Sequence, residues 1–134
     1  MKKEKAREYI EKNLSPDDSL IGFFVAQQPF KIWLFLLIGP LAFLSMKSYF
    51  VAVTRKGIYF HRLNLLGNFS DYDFFEFTEI ETVRIAKGTF QRPMKFNFKN
   101  GRNIEIKAQL KGLDRVAKLT EETLQQIQNN IKVI

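Results

Sequence analysis

The chain has no cysteine and a single histidine, and these two scarcities narrow the chemistry before any fold is considered. Without Cys there is no disulfide framework and no thiolate metal site, which fits a reducing compartment. The sequence also lacks a Gly-x-Ser-x-Gly elbow, a phosphate-binding glycine loop and a dinucleotide fingerprint. No cofactor-binding motif is present, and an enzyme is not expected. An apolar run long enough to cross a bilayer is missing too. The longest, residues 32–46, is flanked by Lys31 and Lys47 and interrupted by Gly39-Pro40. As a helix it would reach only about 22 Å against the ~30 Å of hydrocarbon, and the Gly-Pro pair would break it. The N-terminal residues mix both charge signs and are not followed by the apolar core of a secretory signal, so the expected location is the cytoplasm.

What is present is ordinary for a globular domain: 134 residues, 46% apolar, 26% charged, with a formal net charge of +7. That length supplies one sizeable core. The positive charge favours anionic surfaces, whether lipid headgroups, nucleic acid or acidic proteins, without choosing among them.

Residues 2–14 are strong helix formers whose apolar stripe is only Ala6, Tyr9, Ile10 and Leu14, a thin face that needs a partner. Pro16 ends that helix. Residues 20–26 read as a buried strand, followed by the apolar excursion. From Tyr49 onward short strands alternate with turns: 49–54 and 58–63 form a hairpin around Arg55-Lys56-Gly57, and 74–77 and 80–85 form one bent strand or two short ones.

Register discriminates between turn types in the next hairpin, where Met94, Phe96 and Phe98 face Ile104 and Ile106. A two-residue Asn-Gly turn would put the two apolar sets on opposite faces, whereas the three-residue loop Lys99-Asn100-Gly101 pairs Phe96 with Ile104 and Met94 with Ile106. That loop requires a positive φ at Gly101. Leu113, Val116, Ala117, Thr120, Leu124, Ile127 and Ile131 follow steps of three and four, predicting a helix over 112–134 with Asp114 in its first turn.

Residues 49–60 read Tyr-Phe-Val-Ala-Val-Thr-Arg-Lys-Gly-Ile-Tyr-Phe, residues 78–83 Thr-Glu-Ile-Glu-Thr-Val, and residues 98–101 Phe-Lys-Asn-Gly. These resemble the bacterial pleckstrin-homology-like (PH-like) domains, which often carry a Val-x-Val-Thr-x-Lys hairpin followed by an Ile-x-x-Val strand. The resemblance spans roughly residues 20–131. It implies an α+β, mainly β fold: a barrel of about seven antiparallel strands capped by a C-terminal amphipathic helix, with an extra N-terminal helix. The expected layout is one domain over 1–134, with the N-terminal helix at 1–15, the barrel at 20–110 interrupted by an excursion at 29–47, and the C-terminal helix at 112–134. That fold hosts lipid, peptide and protein binding rather than catalysis, and some members of the group form rings. Phosphoinositide-binding members carry spaced Lys and Arg in the first interstrand connection. Here that connection begins Gln27-Gln28-Pro29-Phe30-Lys31-Ile32-Trp33 and is nearly all apolar, so no ligand residue carries over.

The remaining candidates divide into sites and their ordinary structural roles. His61, in a strand of alternating character, reads as a surface or rim residue rather than a general base. Asp71-Tyr72-Asp73 and Glu79-Ile80-Glu81 have ligand-like spacing, but no further acid converges on them in sequence, so they read as solvated strand positions and no metal is expected. Phe96-Asn97-Phe98-Lys99 could offer a stacking platform to nucleic acid, yet the register turns those Phe inward, and nucleic acid is disfavoured. The excursion could pack over the barrel, form an oligomer interface, or insert shallowly into a leaflet, with Trp33, Lys31 and Lys47 at the interface. The strand order would put it at the barrel end away from the capping helix. There Trp33, Phe35 and Leu36 would lie beside Lys99 and Arg102 as a composite contact surface, with Arg55 and Lys56 at the opposite end. The expected function is a non-enzymatic binding or assembly module acting through a protein partner or a second copy. The alternative is a peripheral membrane domain that uses 32–46 and nearby basic residues.

Overall fold

The computed structural model describes residues 3–29, 36, 48–64, 66–112 and 116–134. Helix α1 (Lys3–Lys12) is followed by strands β1 (Leu20–Gln27), β2 (Ser48–Thr54), β3 (Gly57–Leu63) and β4 (Phe69–Glu76). A 3-10 turn (Phe77–Glu79) leads into β5 (Ile80–Ile85), β6 (Gln91–Phe98) and β7 (Asn103–Gln109), and the chain ends with α2 (Glu121–Asn130) and the short β8 (Lys132–Val133).

The strands form one open sheet in the order β4-β3-β2-β1-β7-β6-β5-β8, antiparallel throughout except for the parallel β5–β8 pair. Strand β1 is the corner. It pairs with β2 along its whole length but with β7 only at Ala26 and Gln27, so the sheet folds over there and its two halves face one another. Between them lies the main core, which includes Phe24, Val51, Phe60, Val83, Phe96 and Ile106. Phe60 on β3 meets Phe96 and Phe98 on β6 edge to face at 5.4 and 6.2 Å, and Phe75 on β4 stacks on Phe98 at 3.9 Å. Leu124, Ile127 and Ile131 close one end of this core, and Gln126 Nε2 donates to the Thr54 carbonyl at 3.2 Å.

A second core explains why β2 and β3 read as continuous rather than alternating apolar runs. Ala6 and Ile10, four apart and therefore on one helix face, are fully buried against Phe23, Phe50, Ala52 and Tyr59 on the outer face of the β1–β4 half. The thin stripe of α1 thus finds the partner it lacked. His61 is the correction here. It lies on that covered face at 1% exposure, ringed by Tyr9, Tyr59, Phe69 and Tyr72, and is no rim residue.

The 91–109 hairpin takes the register that places its apolar sets together, with Phe96 opposite Ile104, Met94 opposite Ile106, and Gly101 at φ 87°. The C-terminal helix is shorter than its periodicity predicts. It starts at Glu121 with Thr120 as its N-cap, accepting from the Thr123 amide. The stretch before it is extended: Ala117 accepts from the Val25 amide and the Leu119 amide donates to Gln109. The apolar steps at 116 and 117 therefore arise from strand-like contacts that mimic helical spacing, and Asp114 lies outside the described residues.

Candidate functional site at the open end of the barrel

The register fixes which loops share an end. Gln27 pairs with Ser48, and Ser48 with Leu63, so the 28–47 connection and the 64–68 loop emerge side by side. Gln126 of α2 contacts Thr54 at the far end of β2, which makes the loop-bearing end the one that α2 leaves open. Arg55 and Lys56 lie at the α2 end, where the Lys56 ammonium pairs with Asp17 and the Arg55 guanidinium donates to the Asp17 carbonyl.

At the open end a cleft of about 380 Å³ is lined by Gln28, Pro29, Tyr49, Arg62, Asp73 and Arg102, among others. Arg62, at the end of β3, is held by two acids of β4. Its Nε and one terminal nitrogen bond both Asp71 oxygens at 2.8 and 2.7 Å, and the other terminal nitrogen bonds Asp73 at 2.7 Å. Asp71 and Asp73 alternate on one strand and so reach the same face. Their Asp-x-Asp spacing holds a guanidinium, and among the described residues no three acidic or imidazole side chains converge on a metal position. The hydrogen bonds from Arg62 hold the Asp71 carboxyl down at about 2 and raise the pKa of the guanidinium itself. Tyr49 lines the same cleft, and burial raises the pKa of its phenol. Arg102 is exposed and makes no ion pair with a described residue, its amide held by the Asn100 side chain at 2.9 Å.

The sequence-derived contact residues separate. Arg102 lies on this cleft beside Pro29, at the start of the apolar connection. Lys99 lies elsewhere, in a cleft with Phe74, Phe75, Thr78 and Glu79, its amide bonded to the Glu79 carbonyl at 3.0 Å. Leu36 is 80% exposed, and Trp33 and Phe35 lie outside the described residues. The sequence reading missed Tyr49 and Arg62, and Leu66, 85% exposed in the 64–68 loop. For Arg62 a signal exists in retrospect, an Arg at a strand end followed by Asp-x-Asp on the next strand. For Tyr49 and Leu66 there was none short of the register.

No protein-family model matches the chain, and no curated protein matches it in sequence. Among solved structures the chain is similar to the hSac2 domain from human phosphoinositide phosphatase Sac2, at 12% identity and a TM-score of 0.61, over 98% of this chain and 85% of that one. At that identity the likeness shows the fold alone. The fold is mainly β and compatible with a PH-like one, with a sheet folded around a main core, a C-terminal helix over one end and an N-terminal helix covering a second core outside. No helix among the described residues is long and apolar enough to cross a membrane.

Proposed function

We propose that the chain is a non-enzymatic binding and assembly module of the bacterial PH-like group, which docks a protein partner or a second copy of itself at the open end of the barrel. The observation that carries this reading is the direct pairing of Gln27 with Ser48. Paired strand residues lie about 5 Å apart, so the twenty residues between them leave and re-enter the barrel at one point. Twelve of the fifteen residues at 32–46 are apolar, the others being Gly39, Pro40 and Ser45. A connection of that composition, anchored at the end that carries the exposed Leu66 and an Arg102 that pairs with no acid among the described residues, suits contact with another apolar surface.

Light scattering on the purified full chain tests the reading. A defined oligomer that dissociates when Trp33 and Phe35 become Ser supports it. A strict monomer at high concentration that captures no protein partner counts against it. The membrane reading draws on the same apolar composition flanked by Lys31 and Lys47. Flotation with anionic vesicles separates the two: vesicle binding that is lost in the same double variant, from a chain that stays monomeric, selects the membrane.

A further inference from the structure

Among the described residues, no helix covers the outer face of the β5–β8 half as α1 covers the other half, and the charges of that face are arranged in one direction. Val83, Met94, Phe96 and Ile106 point into the core, so the residues between them face outward. Arg84 is opposite Lys95, Lys95 is opposite Glu105, and Pro93 is opposite Lys107. Lys132 of β8 joins the same face, because it pairs with Thr82, whose hydroxyl accepts from the outward-facing Asn97. Each of the four strands therefore presents one cation: Lys132, Arg84, Lys95 and Lys107. Two of them, Arg84 and Lys95, are direct cross-strand partners, an arrangement of like charges that destabilises a sheet in isolation. Lys95 has Glu105 at 3.6 Å. Arg84, Lys107 and Lys132 pair with no acid among the described residues.

From the diagonal offsets in the register, neighbouring cations are spaced by about 5 to 8 Å, and the whole stripe runs roughly 20 Å. Alternate residues of an extended peptide recur every ~6.6 Å, so a segment of about seven residues spans the stripe. Sheet twist of roughly 20–25° per strand turns the outward direction progressively from β8 to β7, so a flat surface cannot meet all four charges together, whereas a flexible chain can follow them. No outward position of β5, β6 or β7 carries an aromatic ring, which removes the stacking that single-stranded nucleic acid uses. Pro29, Ala86 and Pro93 line a shallow trough beside Arg84 and Lys95, where a main chain can lie.

We propose that this stripe is a docking face for an extended acidic protein segment with Asp or Glu at alternate positions, adjoining the open-end cleft at Pro29 and Glu105. The test is fluorescence anisotropy on the full chain with a labelled eight-residue peptide of alternating Glu and Ser. Saturable binding that weakens steeply with salt is expected. Arg84→Glu with Lys107→Glu, which leaves the Lys95–Glu105 pair intact, should weaken it at least tenfold. Lys5→Glu with Lys12→Glu on the exposed side of α1, an equal change in net charge, should leave it within twofold. Should the reversal variant fail to fold, Arg84→Gln with Lys107→Gln, set against Lys5→Gln with Lys12→Gln, gives the same comparison. Absence of saturable binding at low salt, or equal loss in both charge variants, overturns the proposal. So does tighter binding of phosphatidylglycerol vesicles or a thymidine oligonucleotide that depends on Arg84 and Lys107.

Discussion

At the scale of single residues, His61 is where the sequence misleads most and where the structure makes a sharp prediction. A lone His between Phe60 and Arg62 carries no sign of burial, because the α1 that covers it lies about fifty positions upstream in the chain. In the fold its Nε2 has no hydrogen-bond partner among the described residues, and burial pushes its pKa down to about 4. The unfolded chain, with an imidazole near 6.5, takes up a proton that the folded chain refuses. Stability from the neutral ring is therefore present in full above pH 6.5, declines as pH falls, and is gone below about 4. Between pH 7 and 4.5 the loss should be on the order of 2 kcal/mol by urea denaturation, and largely absent in His61→Phe, which keeps an aromatic ring in the Tyr59 and Tyr72 stack. Equal losses in both proteins would remove His61 as the cause. The Asp71 carboxyl, held low by Arg62, adds its own decline further down, between its ordinary value of 3.8 and about 2, so its window lies below that of His61.

Elements were legible where one local rule decided them and illegible where two competed. The three-residue turn at 99–101 follows from face alone, since a one-residue slip turns every apolar side chain outward. The start of α2 was hidden because Val116 and Ala117 continue its spacing while the chain there is extended, and only the Thr120 cap marks the boundary. Thr120→Ala should cost about 1 kcal/mol in chemical denaturation, and Thr120→Asp should recover most of it; no loss would show that the cap does not hold the helix. Gly22 measures how closely α2 lies on β1. A Cβ there would meet Thr123 Oγ1 at 2.0 Å, and Thr123 is 2% exposed, with its hydroxyl 2.9 Å from that of Thr120. Gly22→Ala should destabilise by about 1–3 kcal/mol. Combined with Thr123→Ala, which removes the obstructing oxygen, the effects should sum to less than the two singles, a coupling that a double-mutant cycle reads directly.

For the whole molecule, the question is what keeps an open sheet folded against itself when β1 and β7 share only two register pairs. The sequence holds fourteen Phe, but which of them bridge the halves depends on β3 and β6 meeting across the interior, a contact between distant segments that no local pattern encodes. Phe60 occupies that position. It is fully buried and touches Phe75, Phe96, Phe98 and Tyr49 with ring centroids between 5.4 and 6.4 Å. Phe23, by contrast, lies on the outer core at 8% exposure, with the Arg7 guanidinium 5.4 Å from its ring centroid. Truncating Phe60 to Ala removes apolar contacts shared by both halves and leaves a void that neither can fill alone, at a cost of about 3–5 kcal/mol. Phe23→Ala should cost less, because α1 can settle toward the sheet. If the Phe60 variant is the less damaged of the two in urea titrations, the halves are held together chiefly by α2 and the β1 corner rather than by the aromatic bridge.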